Sequence, residues 1–459
     1  MESLVFFGLE PSGLLRRGML QFSLLGLAGG LSSAIRATDA VSPRRIRSCI
    51  LLFLYGGPSH FETFDPKPNA PLDVRGEFQP ISTSVPGVQI SEHLPLLAQR
   101  MHHLGLVRSV SHSATLHDAA SIHALTGRPL DGPDRELFAP LPQVYPSYGS
   151  IVTSQCPHQP TESEVRYAAL PYVFQNVVPT PCQGGGFLGQ AYDPLRIDVD
   201  LPKKRYQVET LNPAADLGTA RRKLRDQLRL SLDPLSDAAR GLGSHYERAY
   251  RLLDSTTIQQ ALDISREPPE VRDRYGWGSG ASSDVGYANG MRGQNLLLAR
   301  RLVEAGVPFI NVYDYKQQGQ NWDAHAQCFQ QHKNHLLPPI DRGLSALIDD
   351  LQERGLLEST LIVVTGEFGR TPKINGGAGR DHWPNCYSVM FAGGGIRGGS
   401  VYGSSDATGA YPASDRVTPG DISATILSRF GLDPQAEMHD QTGRPHRLAT
   451  GQPLEKLFV

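Results

Sequence analysis

Cysteine is scarce in this 459-residue chain. Its five residues (Cys49, Cys156, Cys182, Cys328 and Cys386) are scattered along the sequence, too few and too dispersed for a disulfide framework or a zinc ribbon. A surplus of one charge is lacking too: 44 Lys and Arg face 46 Asp and Glu. That removes the basic footprint by which a protein is drawn electrostatically to nucleic acid. No apolar stretch reaches the roughly 20 residues that span hydrocarbon, which argues against an integral membrane anchor. Loop formers and core formers are plentiful. Gly and Pro number 47 and 35, and hydrophobic residues make up 39% of the chain, which excludes wholesale disorder.

The N-terminus reads as an address. Arg16-Arg17 precede the apolar, small-residue run Gln21 to Leu31, and Thr38-Asp39-Ala40 offers small residues for cleavage. Twin arginines before a weakly hydrophobic segment resemble a bacterial twin-arginine export signal over residues 1–40. The mature protein, residues 41–459, is then expected in the periplasm or secreted. Disulfides are permitted there; Cys156 and Cys182 are the candidate pair, and five unpaired thiols are the equal alternative.

Along the mature chain, helices alternate with buried strands. Ile50 to Tyr55 is a continuous apolar run stopped by Gly56-Gly57-Pro58, the pattern of a fully buried parallel strand feeding a loop. The same reading predicts strands over 308–313, 360–365 and 387–392, and a short one at Tyr172-Val173-Phe174. Helices are predicted over 118–125, 295–306, 336–354 and 421–430, the last opened by Thr418-Pro419. Leu224, Leu228 and Leu232, then Tyr246, Tyr250 and Leu253, recur at helical spacing, so a helical insertion is expected over about 203–290. The alternation implies an α/β fold with a central, mainly parallel sheet flanked by helices. Ligands of such sheets bind beyond the carboxyl ends of the strands, which makes the polar residues there the candidates.

Four places collect side chains able to ligate a metal. Ser59, His60, Glu62 and Asp65 follow the first strand, and His112 and His117 lie at the short helix. Asp323 and His325 follow strand 308–313, and Glu367, Asp381 and His382 follow strand 360–365. Imidazole with carboxylate suits a divalent ion, zinc first, with manganese or iron as alternatives. His117 immediately precedes the short helix, where a bound anion would meet free backbone N–H groups and the positive dipole end; it is a candidate nucleophile, general acid or ligand. His60 and Ser59 are further catalytic candidates, although no G-x-S-x-G elbow surrounds the serine. Arg108, Arg128 and Arg370 are candidates to grip an anionic ester. Gly393-Gly394-Gly395 lacks the G-x-G-x-x-G spacing, so no nucleotide cofactor is expected. Trp322 and Trp383 are read as core aromatics.

Gly56-Gly57-Pro58-Ser59-His60, Thr365-Gly366-Glu367-Phe368-Gly369-Arg370-Thr371-Pro372 and Gly379-Arg380-Asp381-His382-Trp383-Pro384 resemble the motifs of the "domain of unknown function 1501" family. Gly186-Phe187-Leu188-Gly189, Trp322-Asp323-Ala324-His325 and Gly393-Gly394-Gly395-Ile396 extend the match over about residues 47–430. The resemblance implies an exported bacterial protein of a kind abundant in planctomycetes, with an alkaline-phosphatase-like fold related to phosphatases and sulfatases. It brings no settled activity. Ala124-Leu125-Thr126-Gly127-Arg128 is similar to the end of the sulfatase signature. Counting back, the nucleophile position falls on His117 and the signature arginine on Ser121, which departs from formylglycine chemistry. Tyr55 and Gly56 stand where the superfamily places a metal-binding Asp; Glu367 replaces another Asp, and Phe368 a His. Asp323, His325 and His382 resemble the Asp, His and His of the other metal site. One site is thus expected nearly complete and the second broken.

Two functions remain in view. The first is an exported metal-dependent hydrolase of phosphate or sulfate esters, acting on a small-molecule or carbohydrate ester. The second is a catalytically degenerate protein that binds a ligand or a cell-surface protein partner. The first requires Asp323, His325 and His382 to converge.

Overall fold

Ser48–Phe53 (β1) is buried along its whole length, as a strand covered on both faces must be. It lies within an eight-stranded sheet in this computed structural model. The structure describes residues 46–159, 163–200, 205–208, 255–277, 284–314 and 321–459, with scattered positions from 221 to 231 and only the backbone of 284–290. The other strands of the sheet are Leu104–Val110 (β2), Tyr167–Leu170 (β3), Leu195–Arg196 (β4), Phe309–Tyr313 (β5), Thr360–Thr365 (β6), Tyr387–Gly393 (β7) and Ser400–Tyr402 (β8). Their order across the sheet is β8-β2-β7-β6-β1-β5-β3-β4. β7 runs against its neighbours β6 and β2, and every other pairing is parallel.

The helices that cover the sheet are His117–Thr126 (α1), Tyr148–Gln155 (α2), Asp284–Glu304 (α3), Leu337–Glu353 (α4) and Pro419–Arg429 (α5). Successive strand residues point to opposite faces. Ile50, Leu52, Ile310, Val312, Ile362 and Val364 therefore share one core with Leu296 and Leu297 of α3 and Leu344 and Leu347 of α4. Leu51, Phe53, Phe309, Val363 and Phe391 share the other with Ile122 of α1, Ile151 of α2 and Ile426 of α5. This double cover is why β1, β5 and β6 read as unbroken apolar runs. The start of α5 is a capping box: Thr418 N–H donates to Asp421 Oδ2 at 2.8 Å, and Asp421 N–H to Thr418 Oγ1 at 3.3 Å. Such a cap contributes about 1 kcal/mol.

The helices expected over 118–125, 336–354 and 421–430 are α1, α4 and α5, and 295–306 covers the second half of α3. Tyr172-Val173-Phe174 does not form a strand. The chain leaves the sheet at Leu170 because Pro171 has no N–H for the ladder, and the Phe174 ring packs on Tyr313 and Phe53 instead. Cys182 is a free, buried thiol, so the Cys156–Cys182 pair does not form. The export segment 1–40 and most of the insertion expected over 203–290 lie outside the described residues. Among the described residues, no helix is long and apolar enough to cross a membrane.

Candidate metal centre

β1, β5 and β6 end at the same edge, and their loops meet backbone to backbone. Gly56, after β1, has φ 109°, and a Cβ there would lie 2.3 Å from Asp323 N. Only glycine permits that approach. Trp322 N–H donates to Tyr55 O at 3.0 Å. The Trp322 side chain is buried and donates its indole N–H to Asp314 Oδ2 at 2.8 Å. These contacts hold Asp323 at the carboxyl edge of the sheet.

Four side chains face the Asp323 carboxylate. Oδ1 lies 3.0 Å from His325 Nε2 and 3.2 Å from His382 Nε2, and it accepts from Arg370 Nη2 at 2.6 Å. Oδ2 lies 3.3 Å from His117 Nε2. The Nε2 atoms of His325 and His382 are 3.0 Å apart. The far nitrogens settle the tautomers. His382 Nδ1 is 2.7 Å from Thr115 O, His117 Nδ1 is 2.7 Å from Glu367 Oε1, and His325 Nδ1 is 2.8 Å from Asp381 Oδ1. A carbonyl or carboxylate oxygen accepts, so each ring donates from Nδ1 and, when neutral, turns an Nε2 lone pair toward Asp323.

Lone pairs and a carboxylate packed this closely need positive charge among them, as protons or as a metal ion. Histidines whose outer nitrogen donates to a carboxylate or carbonyl are the usual surroundings of a bound metal. His117, Asp323 and His382 each bring one ligand atom to within 4.8 Å of the others. The Asp323 oxygens lie 3.3 Å from His117 Nε2 and 3.2 Å from His382 Nε2. Ligand atoms around a tetrahedral zinc with bonds of ~2.0–2.1 Å stand about 3.3 Å apart. The donor set fits a divalent ion of the zinc, manganese and iron group.

Electrostatics follow the same geometry. Burial opposes protonation of His117, but hydrogen bonds to Asp323 and Glu367 outweigh it and lift the imidazolium to about 9. Burial works against the Asp323 charge, yet the hydrogen bond from the His117 imidazolium and the Arg370 cation hold its carboxyl far below the usual range. Exposure runs in one direction across the cluster. The side chains of His117 and Asp323 are 8% and 10% exposed, whereas those of His325 and Asp381 are 45% and 54% exposed.

Glu367 is fully buried, and its Oε1 also accepts from Gly56 N–H at 2.8 Å. It orients His117. Phe368 packs its ring on His117 and His382, with centroids 5.1 and 4.4 Å away, an apolar wall beside both imidazoles. Arg370 is buried and donates to Gly57 O at 2.9 Å, Arg380 O at 3.0 Å and Gly56 O, which leaves it tying loops together. Ser59 and His60 are buried at 0% and 1% exposure, and His60 Nε2 faces Gly409 O at 2.9 Å. Arg108 donates to Gln89 O at 2.7 Å, and Arg128 donates to Arg447 O and lies over Tyr145. The contacts of these four residues lie away from Asp323.

The anion seat expected at the start of α1 is already filled. Asp134 accepts from Thr115 N–H at 2.7 Å and Leu116 N–H at 3.3 Å. Glu136 accepts from His117 N–H at 2.8 Å and Asp118 N–H at 3.1 Å. Leu116 at the N-cap has no side chain able to cap, so two carboxylates from the next loop take the positive helix end. Nothing in the local sequence marks Thr115 O, Asp134 or Glu136 for these tasks. A cleft of 420 Å³ lined by Arg47, Ser48, Thr360 and Phe430 opens at the other ends of the strands, and one of 220 Å³ lies beside α1 at Ile122 and Tyr145. Neither shares a lining residue with the cluster.

A mainly parallel α/β sheet with imidazoles and carboxylates gathered beyond its carboxyl edge defines the class, an α/β protein with a candidate metal centre. The chain belongs to the family described as "Protein of unknown function (DUF1501)", whose model matches residues 46–458. No curated protein matches. Among solved structures, the chain is similar to a protein in the alkaline phosphatase superfamily from Vibrio parahaemolyticus, with 11% identity, 85% of this chain and 67% of that one covered, and a TM-score of 0.40. It is also similar to a phosphonate monoester hydrolase from Silicibacter pomeroyi (12%, 90% and 76%, 0.40) and to a sulfatase from Pseudoalteromonas sp. (13%, 85% and 68%, 0.38).

Proposed function

We propose that the protein is an exported, metal-dependent hydrolase. The observation that carries this reading is the convergence of three Nε2 atoms on Asp323, each ring fixed from behind through Nδ1. His117, Asp323 and His382 would hold the ion, which moves His117 from nucleophile to ligand. When bound, a divalent ion supplies Lewis acidity, polarising an ester oxygen and acidifying water.

The chain's own residues do the rest. Glu367 and Thr115 O keep the His117 and His382 rings from turning. Arg370 offsets part of the Asp323 charge and joins it to the Gly56-Gly57 loop. His325 is half exposed, and Asp381 holds its Nδ1 proton. Its Nε2 is placed to accept a proton from an attacking water and release it to solvent. Ser59 and His60, without access, take no part. Phosphate and sulfate esters of small molecules or carbohydrates are the substrates that the sequence resemblance implies.

The test is metal analysis of the folded protein together with turnover on a panel of phosphate and sulfate esters. The expected result is near-stoichiometric metal that falls in His382→Ala, with turnover falling alongside. Arg370 favours the other reading, a binding protein, because its guanidinium already neutralises Asp323 Oδ1. No metal and no turnover would select that one.

A further inference from the structure

Between Arg370 and His382 the chain makes the turn Asn375-Gly376-Gly377-Ala378-Gly379, laid along the backbone that follows Asp323. A Cβ on Gly379 would stand 2.0 Å from His325 O. Gln327 N–H and Cys328 N–H donate to Gly377 O and Ala378 O, both at 2.9 Å. The Asn375 amide is used in two halves. Its Oδ1 accepts from Gly377 N–H at 2.9 Å and Gly379 N–H at 3.0 Å, which closes the turn. Its Nδ2 donates to His325 O at 2.9 Å and to Asp381 Oδ1 at 3.2 Å. Asp381 Oδ1 is also the oxygen that receives His325 Nδ1–H.

We infer that Asn375 is a positioning residue for His325. A histidine–carboxylate pair as exposed as His325 and Asp381 has little energy of its own to fix its geometry. Asn375 supplies what the pair lacks. One NH₂ group grips the histidine's main chain and the carboxylate together, so Nδ1 stays on Asp381 and Nε2 stays on Asp323. The consequence for turnover rests on the proposed metal-dependent function; the positioning itself does not.

The two halves of the amide can be separated. Asn375→Asp keeps an acceptor for Gly377 and Gly379 N–H but loses both Nδ2 donors, whereas Asn375→Ala loses both halves. Imidazole ¹⁵N NMR of the metal-free protein reads His325 directly. The wild type is expected as the Nδ1–H tautomer. Asn375→Asp should leave that state while its melting temperature stays near that of the wild type, with the large drop confined to Asn375→Ala. Zn²⁺ and Co²⁺ affinity of Asn375→Asp should stay near that of the wild type, because the ion is held by His117, Asp323 and His382, while ester turnover falls. Wild-type His325 shifts in Asn375→Asp would overturn the inference and leave Asn375 a turn clasp. If the wild type takes up neither ion, the metal reading fails alone, and the His325 shifts still decide the role of Asn375.

Discussion

The two halves of the cluster are built differently. On the inner side, His117, Glu367, Phe368 and Arg370 are buried, and their geometry is fixed by backbone groups and ring packing. On the outer side, His325 and Asp381 are about half exposed and depend on one amide, Asn375. Asp323 belongs to both. Burial gives the inner half preorganisation, since charges there are weakly screened and have no water to turn toward. Exposure gives the outer half exchange with solvent, which proton transfer needs. A division of labour follows, with the inner half holding and the outer half reacting.

The strongest blow to that division is Asp323→Ala. It removes the partner shared by both halves and leaves Arg370 buried without its carboxylate. We expect Zn²⁺ uptake to vanish and the unfolding free energy to fall by about 3–5 kcal/mol, measured by metal titration and urea denaturation. A variant that still binds Zn²⁺ normally would mean that the halves do not share a centre.

Acid should next strike two buried histidines outside the cluster. Burial lowers the pKa of His60 to about 4, with the hydrogen bond to Gly409 O opposing it, and burial does the same to His112 against its bond to Glu367 O. The unfolded chain takes up these protons near 6.5 and the folded chain only near 4. Their contribution is therefore complete above pH 6.5 and is lost as pH falls toward 4, by about 2 kcal/mol for each at pH 5. Urea midpoints should drop between pH 7 and pH 5, and His60→Asn should flatten part of that slope. A flat wild-type profile would show that these rings are not held neutral.

The carboxylates behind the rings give a graded comparison. Glu367→Gln and Asp381→Asn each remove a charge behind one imidazole. Loss of a partner behind a ligand costs roughly 10–100-fold in metal affinity. Glu367, behind the ligand His117, should show that loss, and Asp381, behind His325, should leave affinity near that of the wild type. Equal losses measured by Zn²⁺ competition would remove the asymmetry between the halves.

The sequence made the central sheet legible where burial is two-sided, because β1, β5 and β6 are apolar throughout. It did not mark β2, whose Gly105, Arg108 and Ser109 interrupt the run; that strand is buried only because β7 and β8 pair with it. Asp323, His325 and His382 stood out by type and by position after strands, and they do converge. The partners that orient them did not. Glu367 and His117 are 250 positions apart, Thr115 contributes a carbonyl that any residue carries, and Asn375 looks like an ordinary turn former. The helix end expected to be open at His117 is closed, for a related reason. Its cap comes from side chains 18 and 19 residues away, beyond any local capping pattern.

That cap supplies the smallest effect and the finest test of how closed the inner half is. Glu136→Ala would uncover His117 N–H and Asp118 N–H and leave Asn176 Nδ2, which donates to Glu136 Oε2 at 2.9 Å, with only the longer 3.5 Å bond to Asp118 Oδ2. Loss of a helix cap costs about 1 kcal/mol, whereas Glu136→Gln keeps one acceptor and should cost less. The uncovered N–H groups would then suit an oxyanion, so sulfate should raise the melting temperature of Glu136→Ala more than that of the wild type, by mass action on the folded state. Equal sulfate responses would mean that the inner half stays shut without Glu136, through Asp134 and the packing of α1, and that any anionic substrate group must be met from the exposed side of His325.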